Sequence, residues 1–120
     1  MDVFVGAEYI IANALIVLHR RKGREYITFG ELRSIGVKVQ EYCNENGVEA
    51  VILTSGYNIS NAIYNFSDYF EYIAPVLPED EPKIRIRKGT PISSVKQRFM
   101  GYLPLEVVWV LMLELPKYVP

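Results

Sequence analysis

The chain has 120 residues, half of them hydrophobic and 22% charged, and its thirteen Lys and Arg against fourteen Asp and Glu leave a formal net charge of −1. That apolar content offsets the ordering entropy of a globular core and excludes a disordered chain, while the length excludes two full-sized domains. One domain spanning residues 1–120 is expected.

Cys43 is the only thiol, which excludes an internal disulfide and a multi-cysteine metal site and fits a reducing, cytoplasmic setting. Met1-Asp2-Val3-Phe4-Val5 lacks a basic stretch before an apolar run, so it does not read as a secretory signal. Without that route, the triplets Asn58-Ile59-Ser60 and Asn65-Phe66-Ser67 carry no glycosylation meaning. Ile10 to Leu18 is broken by Asn13, and Leu105 to Leu115 contains Glu106 and Glu114. Neither reaches the roughly 20 apolar residues of a membrane span, so no membrane is expected.

Asp2 to Val5 allows a short first strand. In Ala7 to Arg21, the apolar residues Ile11, Ala14, Leu15 and Leu18 recur at the spacing of one helical face. Arg20, Arg21, Lys22 and Arg24 follow where cations suit the negative end of the helix dipole, and Gly23 supplies the stop. Glu25 to Ile27 allows a second strand. Thr28-Phe29-Gly30-Glu31 matches a capping box, behind which Leu32, Ile35, Val39, Tyr42 and Cys43 keep helical spacing up to Asn46-Gly47. Gly36 interrupts this run and is read either as a costly helical glycine or as a turn between two short helices.

Val48 to Thr54 reads as a buried strand. Ile59, Ile63, Phe66, Phe70 and Ile73 then step by four and three, which predicts one amphipathic helix from Asn58 to Ile73. Pro75, Pro78 and Pro82 bracket the acidic turn Glu79-Asp80-Glu81. Lys83 to Lys88 alternates cations with Ile84 and Ile86, the pattern of a half-buried strand, and its charges suit a sheet edge. Thr90-Pro91 reads as an N-cap and first-turn proline opening a helix through Phe99; Pro104 starts another that Pro116 closes. The expected fold is mixed α+β, with a small sheet of two to four strands packed by four or five helices.

A winged-helix-like alternative takes Ala7 to Arg21, Glu25 to Ile27, Thr28 to Ser34, a turn at Ile35-Gly36 and Val37 to Asn46 as successive elements, with a wing beyond. Its supposed recognition helix carries Lys38 but also Glu41 and Glu45, which phosphates repel, beside Gln40, Asn44 and Asn46, whose amides suit base edges.

Catalytic constellations are missing from the pattern. His19 stands beside Arg20 and Arg21 with no nucleophile placed near it, and Cys43 falls on an apolar helical face. One Cys and one His make no zinc motif, and three consecutive carboxylates do not wrap a cation, so neither metal nor cofactor is expected. Ser55-Gly56, between a strand and a helix, suits an anion but lacks the repeated glycines and lysine of a phosphate loop; a small enzyme built on it is the weakest of three functional readings.

Charge is segregated along the chain. Ten of the thirteen cations fall in two groups, Arg20 to Arg24 and Lys83 to Arg98, whereas Val39 to Pro82 holds eight carboxylates and no Lys or Arg. Brought together, the groups form a surface that neutralises phosphates, with Arg20, Arg21, Arg24, Lys83, Arg85, Arg87 and Lys88 as contacts. An intracellular, non-catalytic regulator that binds nucleic acid is the leading expectation. The competing one is a protein-interaction module, an inhibitor or adaptor, using Tyr64 and the acidic Glu79, Asp80 and Glu81. Trp109, in the most apolar stretch, marks a protein interface, and a homo-oligomer is expected.

Overall fold

The structure, a computed structural model, describes residues 2–119. Strand β1 (Val3–Gly6) leads into helix α1 (Ala7–Lys22), which stops at Gly23 in the left-handed conformation, its N–H returning to the carbonyls of Leu18 and His19. Strand β2 (Tyr26–Thr28) runs into α2 (Phe29–Glu45) through a complete capping box between Thr28 and Glu31. Then follow β3 (Ala50–Leu53), α3 (Gly56–Asn65), β4 (Phe70–Ile73), β5 (Lys83–Ile86) and α4 (Ile92–Met100). The C-terminal segment is helical, with α5 (Leu105–Trp109) and α6 (Leu115–Tyr118) joined by one π-turn, Val110–Glu114. Pro116 has no N–H to give the preceding turn, and the Leu115 N–H reaches back five residues to Val110.

The fold is mixed α+β, as composition and periodicity lead one to expect. Its strands form two small sheets: β1 parallel to β3, and an antiparallel trio in the order β2-β5-β4. The outer edge of β3 is closed by a side chain. Gln40 donates to the Ala50 carbonyl at 2.9 Å and accepts from the Ile52 N–H at 2.8 Å, so its amide takes the place of a further strand.

α1 lies at the centre. Nine of its sixteen residues are buried, including Ile10, Ala12 and Ile16 beyond the single face that spacing predicts. It is apolar all round because both sheets and the other long helices pack against it. Even Asn13 is buried, donating to the Tyr9 carbonyl at 2.7 Å. The rings of Tyr9, Phe66, Tyr69 and Phe70 gather around Phe99 of α4 with centroids 4.7 to 6.2 Å from it, tying α1, α4 and β4 into one core.

Five expectations are corrected. The C-terminal helix is not closed by Pro116, which lies inside α6. α2 is unbroken, so Ile35-Gly36 is no turn and Val37 to Asn46 is no separate helix; Gly36 is a buried helical glycine, and a side chain there would meet Thr54. The predicted helix from Asn58 to Ile73 ends at Asn65, and Phe70 and Ile73 enter β4, where pairing with Ile86 and Lys83 outweighs helical spacing. Lys83 to Ile86 is the central strand of its sheet rather than an edge, with Arg85 answered by Glu71 on β4 and Lys83 lying over the Tyr26 ring. Pro91, not Thr90, caps α4, since the Thr90 hydroxyl turns to the Asp68 carbonyl.

The winged-helix-like alternative does not hold with the elements assigned to it from the sequence: α2 is a single helix where it requires two, and β3 and α3 follow before β4 and β5, which the 74–82 loop joins.

The Gly36 contact gives a direct check. Gly36→Ala should destabilise the chain by about 1 to 2 kcal/mol in urea unfolding although alanine favours helix, because a Cβ would lie 2.6 Å from the Thr54 hydroxyl. Thr54→Ala in the same chain should recover most of the loss.

Candidate nucleic-acid interface

Strand pairing fixes which side chains share the open face of the three-stranded sheet. Tyr26 stands opposite Arg85, and Glu71 is the partner of Arg85 on its other side; Thr28, Lys83 and Ile73 form the next row. Ile27, Ile84 and Phe70 point the other way into the core. β5 thus sets its cations on the solvent side because its isoleucines are needed beneath.

The two basic segments meet on this face. The Arg24 guanidinium and the Lys83 ammonium both lie over the Tyr26 ring, at 5.1 and 4.7 Å from its centroid. At the other end of β5, Arg87 and Lys88 line a notch of about 170 Å³ with His19, Glu25 and Thr90. Arg87 also donates to the Ser67 carbonyl, and Arg98 lies 5.9 Å from the Phe66 ring, so cations flank the turn that follows α3.

Much of this charge is answered locally. Arg24 makes a two-pronged pair with Glu31, at 2.9 and 3.1 Å, and this hydrogen bonding raises its pKa. Burial by itself raises the Glu31 carboxyl, but Arg24 and the Thr28 hydrogen bonds outweigh it and hold the group below its ordinary value. Glu71 takes both Arg85 and Arg87. Among the described residues, Arg20 and Lys88 are exposed and make no hydrogen bond or ion pair. Arg21 and Lys22 lie apart from the sheet face, lining a cavity with Pro116 and Val119.

The remaining candidates are scattered. Tyr64 is 82% exposed on α3, and the acidic turn lies against the start of α2, where Glu81 accepts from the Gly30 N–H. Asp80 accepts from the Leu77 N–H within the turn. Among the described residues, no hydrogen bond, ion pair or ring contact joins Tyr64 to Glu79, Asp80 or Glu81. Gln40, expected among base-reading amides, is committed to β3, and Asn46 to the Tyr42 carbonyl. Ser55 caps α3, accepting from the Asn58 backbone and side chain. Cys43 is buried, and burial pushes its thiol up, away from the reactive thiolate. Trp109 is half exposed and pairs with Tyr42 at 5.8 Å.

Sequence reasoning passed over Tyr26, Glu31 and Glu71 because pairing register alone places them among the cations. α3 was missed as an exposed polar helix: none of Gly56–Asn65 is charged, while Tyr57, Ser60 and Tyr64 face solvent. No helix among the described residues is long and apolar enough to cross a membrane. Comparisons with protein-family models, with curated proteins and with solved structures find no match.

The Arg24–Glu31 pair fixes a pH dependence. A carboxyl whose folded-state pKa is depressed stabilises the fold fully above its unfolded value near 4.5, and the contribution fades as pH falls below it. Glu31→Gln should therefore lower stability by about 1 kcal/mol near neutrality, and its urea midpoint should converge on that of the parent chain in acid.

Proposed function

We propose that the protein is a non-catalytic regulatory protein that binds nucleic acid, holding phosphates on the open face of the β2-β5-β4 sheet and on the turn that leads into α4. One observation carries the reading: Arg24 and Lys83, from separate basic segments, converge on the Tyr26 ring. From there β5 carries the cations on to Arg85, and Arg87 and Lys88 follow just beyond its end.

α3 adds support for a duplex. A helix with no charged side chain approaches a groove without repelling the phosphates on either side, and its Asn61 and Tyr64 are of the types that bond base edges and backbone. The cations Arg87 and Arg98 at its far end complete a polar helix flanked by positive charge.

The measurement is anisotropy of a labelled DNA duplex over a salt series. Affinity should fall linearly with salt on logarithmic axes, and Lys83→Ala and Lys88→Ala should each reduce the slope by about 1. Glu71→Gln should tighten binding and steepen the slope, since it frees Arg85 and Arg87. Affinity that is indifferent to salt, or unaltered by these changes, overturns the proposal.

A further inference from the structure

The two-stranded sheet has two edges, and the fold closes one of them. Along β3 the Gln40 amide holds the outward-facing Ala50 carbonyl and Ile52 N–H. Along β1 no side chain among the described residues does the same. The Val3 N–H bonds to the Glu49 carbonyl at 3.0 Å, so Val3 and Val5 turn their backbone groups to β3, and the N–H and carbonyl of Phe4 between them point away from it. Among the described residues neither group meets a hydrogen-bond partner. The Phe4 side chain is open as well: of the five phenylalanines it alone is exposed, at 66%, while the adjoining Val5 is fully buried. An open strand edge that carries an exposed ring is a template for one more extended chain.

Charge at the two ends of this edge identifies the chain that fits. Asp2, exposed, precedes β1, and Glu8 lies in the first turn of α1 just after it. By alternation Asp2, Phe4 and Gly6 share one face of the extended backbone. A Cβ on Gly6 would run into the Glu8 carboxylate, so that carboxylate occupies the Gly6 position of the Phe4 face. Neither Asp2 nor Glu8 makes a hydrogen bond or ion pair among the described residues. The face therefore runs carboxylate, ring, carboxylate, and an added strand meets it with its own alternate side chains.

We propose that the free edge of β1 takes up an extended segment of another protein in which an apolar residue is flanked, two positions away on each side, by Lys or Arg. The apolar side chain lies against the Phe4 ring, the cations reach Asp2 and Glu8, and the segment's backbone satisfies the Phe4 N–H and carbonyl. The pattern reads the same in both directions, so it serves a parallel or an antiparallel addition. Pairing β1 with β1 of a second copy about Phe4 sets Asp2 against the Gly6 and Glu8 positions of that copy, carboxylate on carboxylate, a juxtaposition that interfaces avoid. Phosphates are repelled by the same two groups.

The probe is a fluorescein-labelled, end-capped peptide with Lys, Thr, Val, Thr, Lys in that order at its centre, titrated with the full chain and followed by anisotropy. One control carries Glu for both Lys, and a second has the amides of the central Thr, Val and Thr N-methylated, which removes the backbone donors and keeps the charge. The Lys peptide should bind saturably and both controls roughly tenfold more weakly or worse. Phe4→Pro removes an N–H that β3 does not use, is the kind of change an edge strand tolerates, and should weaken the peptide by roughly tenfold. Phe4→Ala, which keeps the backbone, should weaken it less, and an unchanged circular dichroism spectrum verifies the fold of each variant. Asp2→Asn together with Glu8→Gln should cost several-fold in affinity. No binding of the Lys peptide, equal binding of all three peptides, or folded Phe4 variants that bind undiminished overturns the proposal. So does a dimer of the protein alone in sedimentation that Phe4→Pro or Phe4→Ala dissolves, since a second copy would then occupy the edge.

Discussion

Burial of α1 on every side is the constraint from which the architecture follows. A helix with apolar residues around its whole circumference cannot lie on a surface, and the remaining elements are arranged to enclose it. α4 covers it through the Phe99 ring cluster, α3 through Ile59 and Ala62, the three-stranded sheet through Ile27 and Ile84, and the C-terminal helix through Leu111 and Leu115. Enclosing one helix in a chain this short uses nearly every other apolar face. The strands are therefore short, and each sheet keeps one side toward solvent or toward a single helix.

That arrangement decides where the charges go. With Ile84 and Ile86 committed to the core, alternation along β5 forces Lys83 and Arg85 to the open face, and register then sets Tyr26 and Glu71 beside Arg85. The ion pairs with Glu31 and Glu71 moderate the resulting field without reversing it, because Lys88 and Arg20 stay unpaired among the described residues. At the free edge of β1 the opposite holds, with Asp2 and Glu8 on either side of Phe4. A net charge of −1 thus hides two surfaces of opposite sign.

Elements written in local chemistry were legible. The capping box at Thr28, the glycine stop at Gly23 and the start of the C-terminal helix after Pro104 all appear where residue type and spacing put them. Each depends on atoms within a few residues of one another, so the signal and the structure lie in the same short stretch. Of the candidate contacts, the cations of β5 were readable as an exposed stripe, whereas the partners that orient them were not.

The sequence by itself determined a mixed α+β chain, the end of α1 and the start of α2, an apolar C-terminal stretch and the segregation of charge along the backbone. Tertiary pairing decided the rest. Spacing by threes and fours from Ile59 to Ile73 serves a helix as well as a helix, turn and strand, and the choice fell to β5, whose free edge binds Phe70 to Ile73. Likewise Gly36 is compatible with a turn until Thr54 is seen to press on it, and Arg24 is a helix-end cation until strand pairing brings Lys83 onto the same ring. In each case the deciding atoms lie far away in the chain, and a local pattern carries no record of distant neighbours.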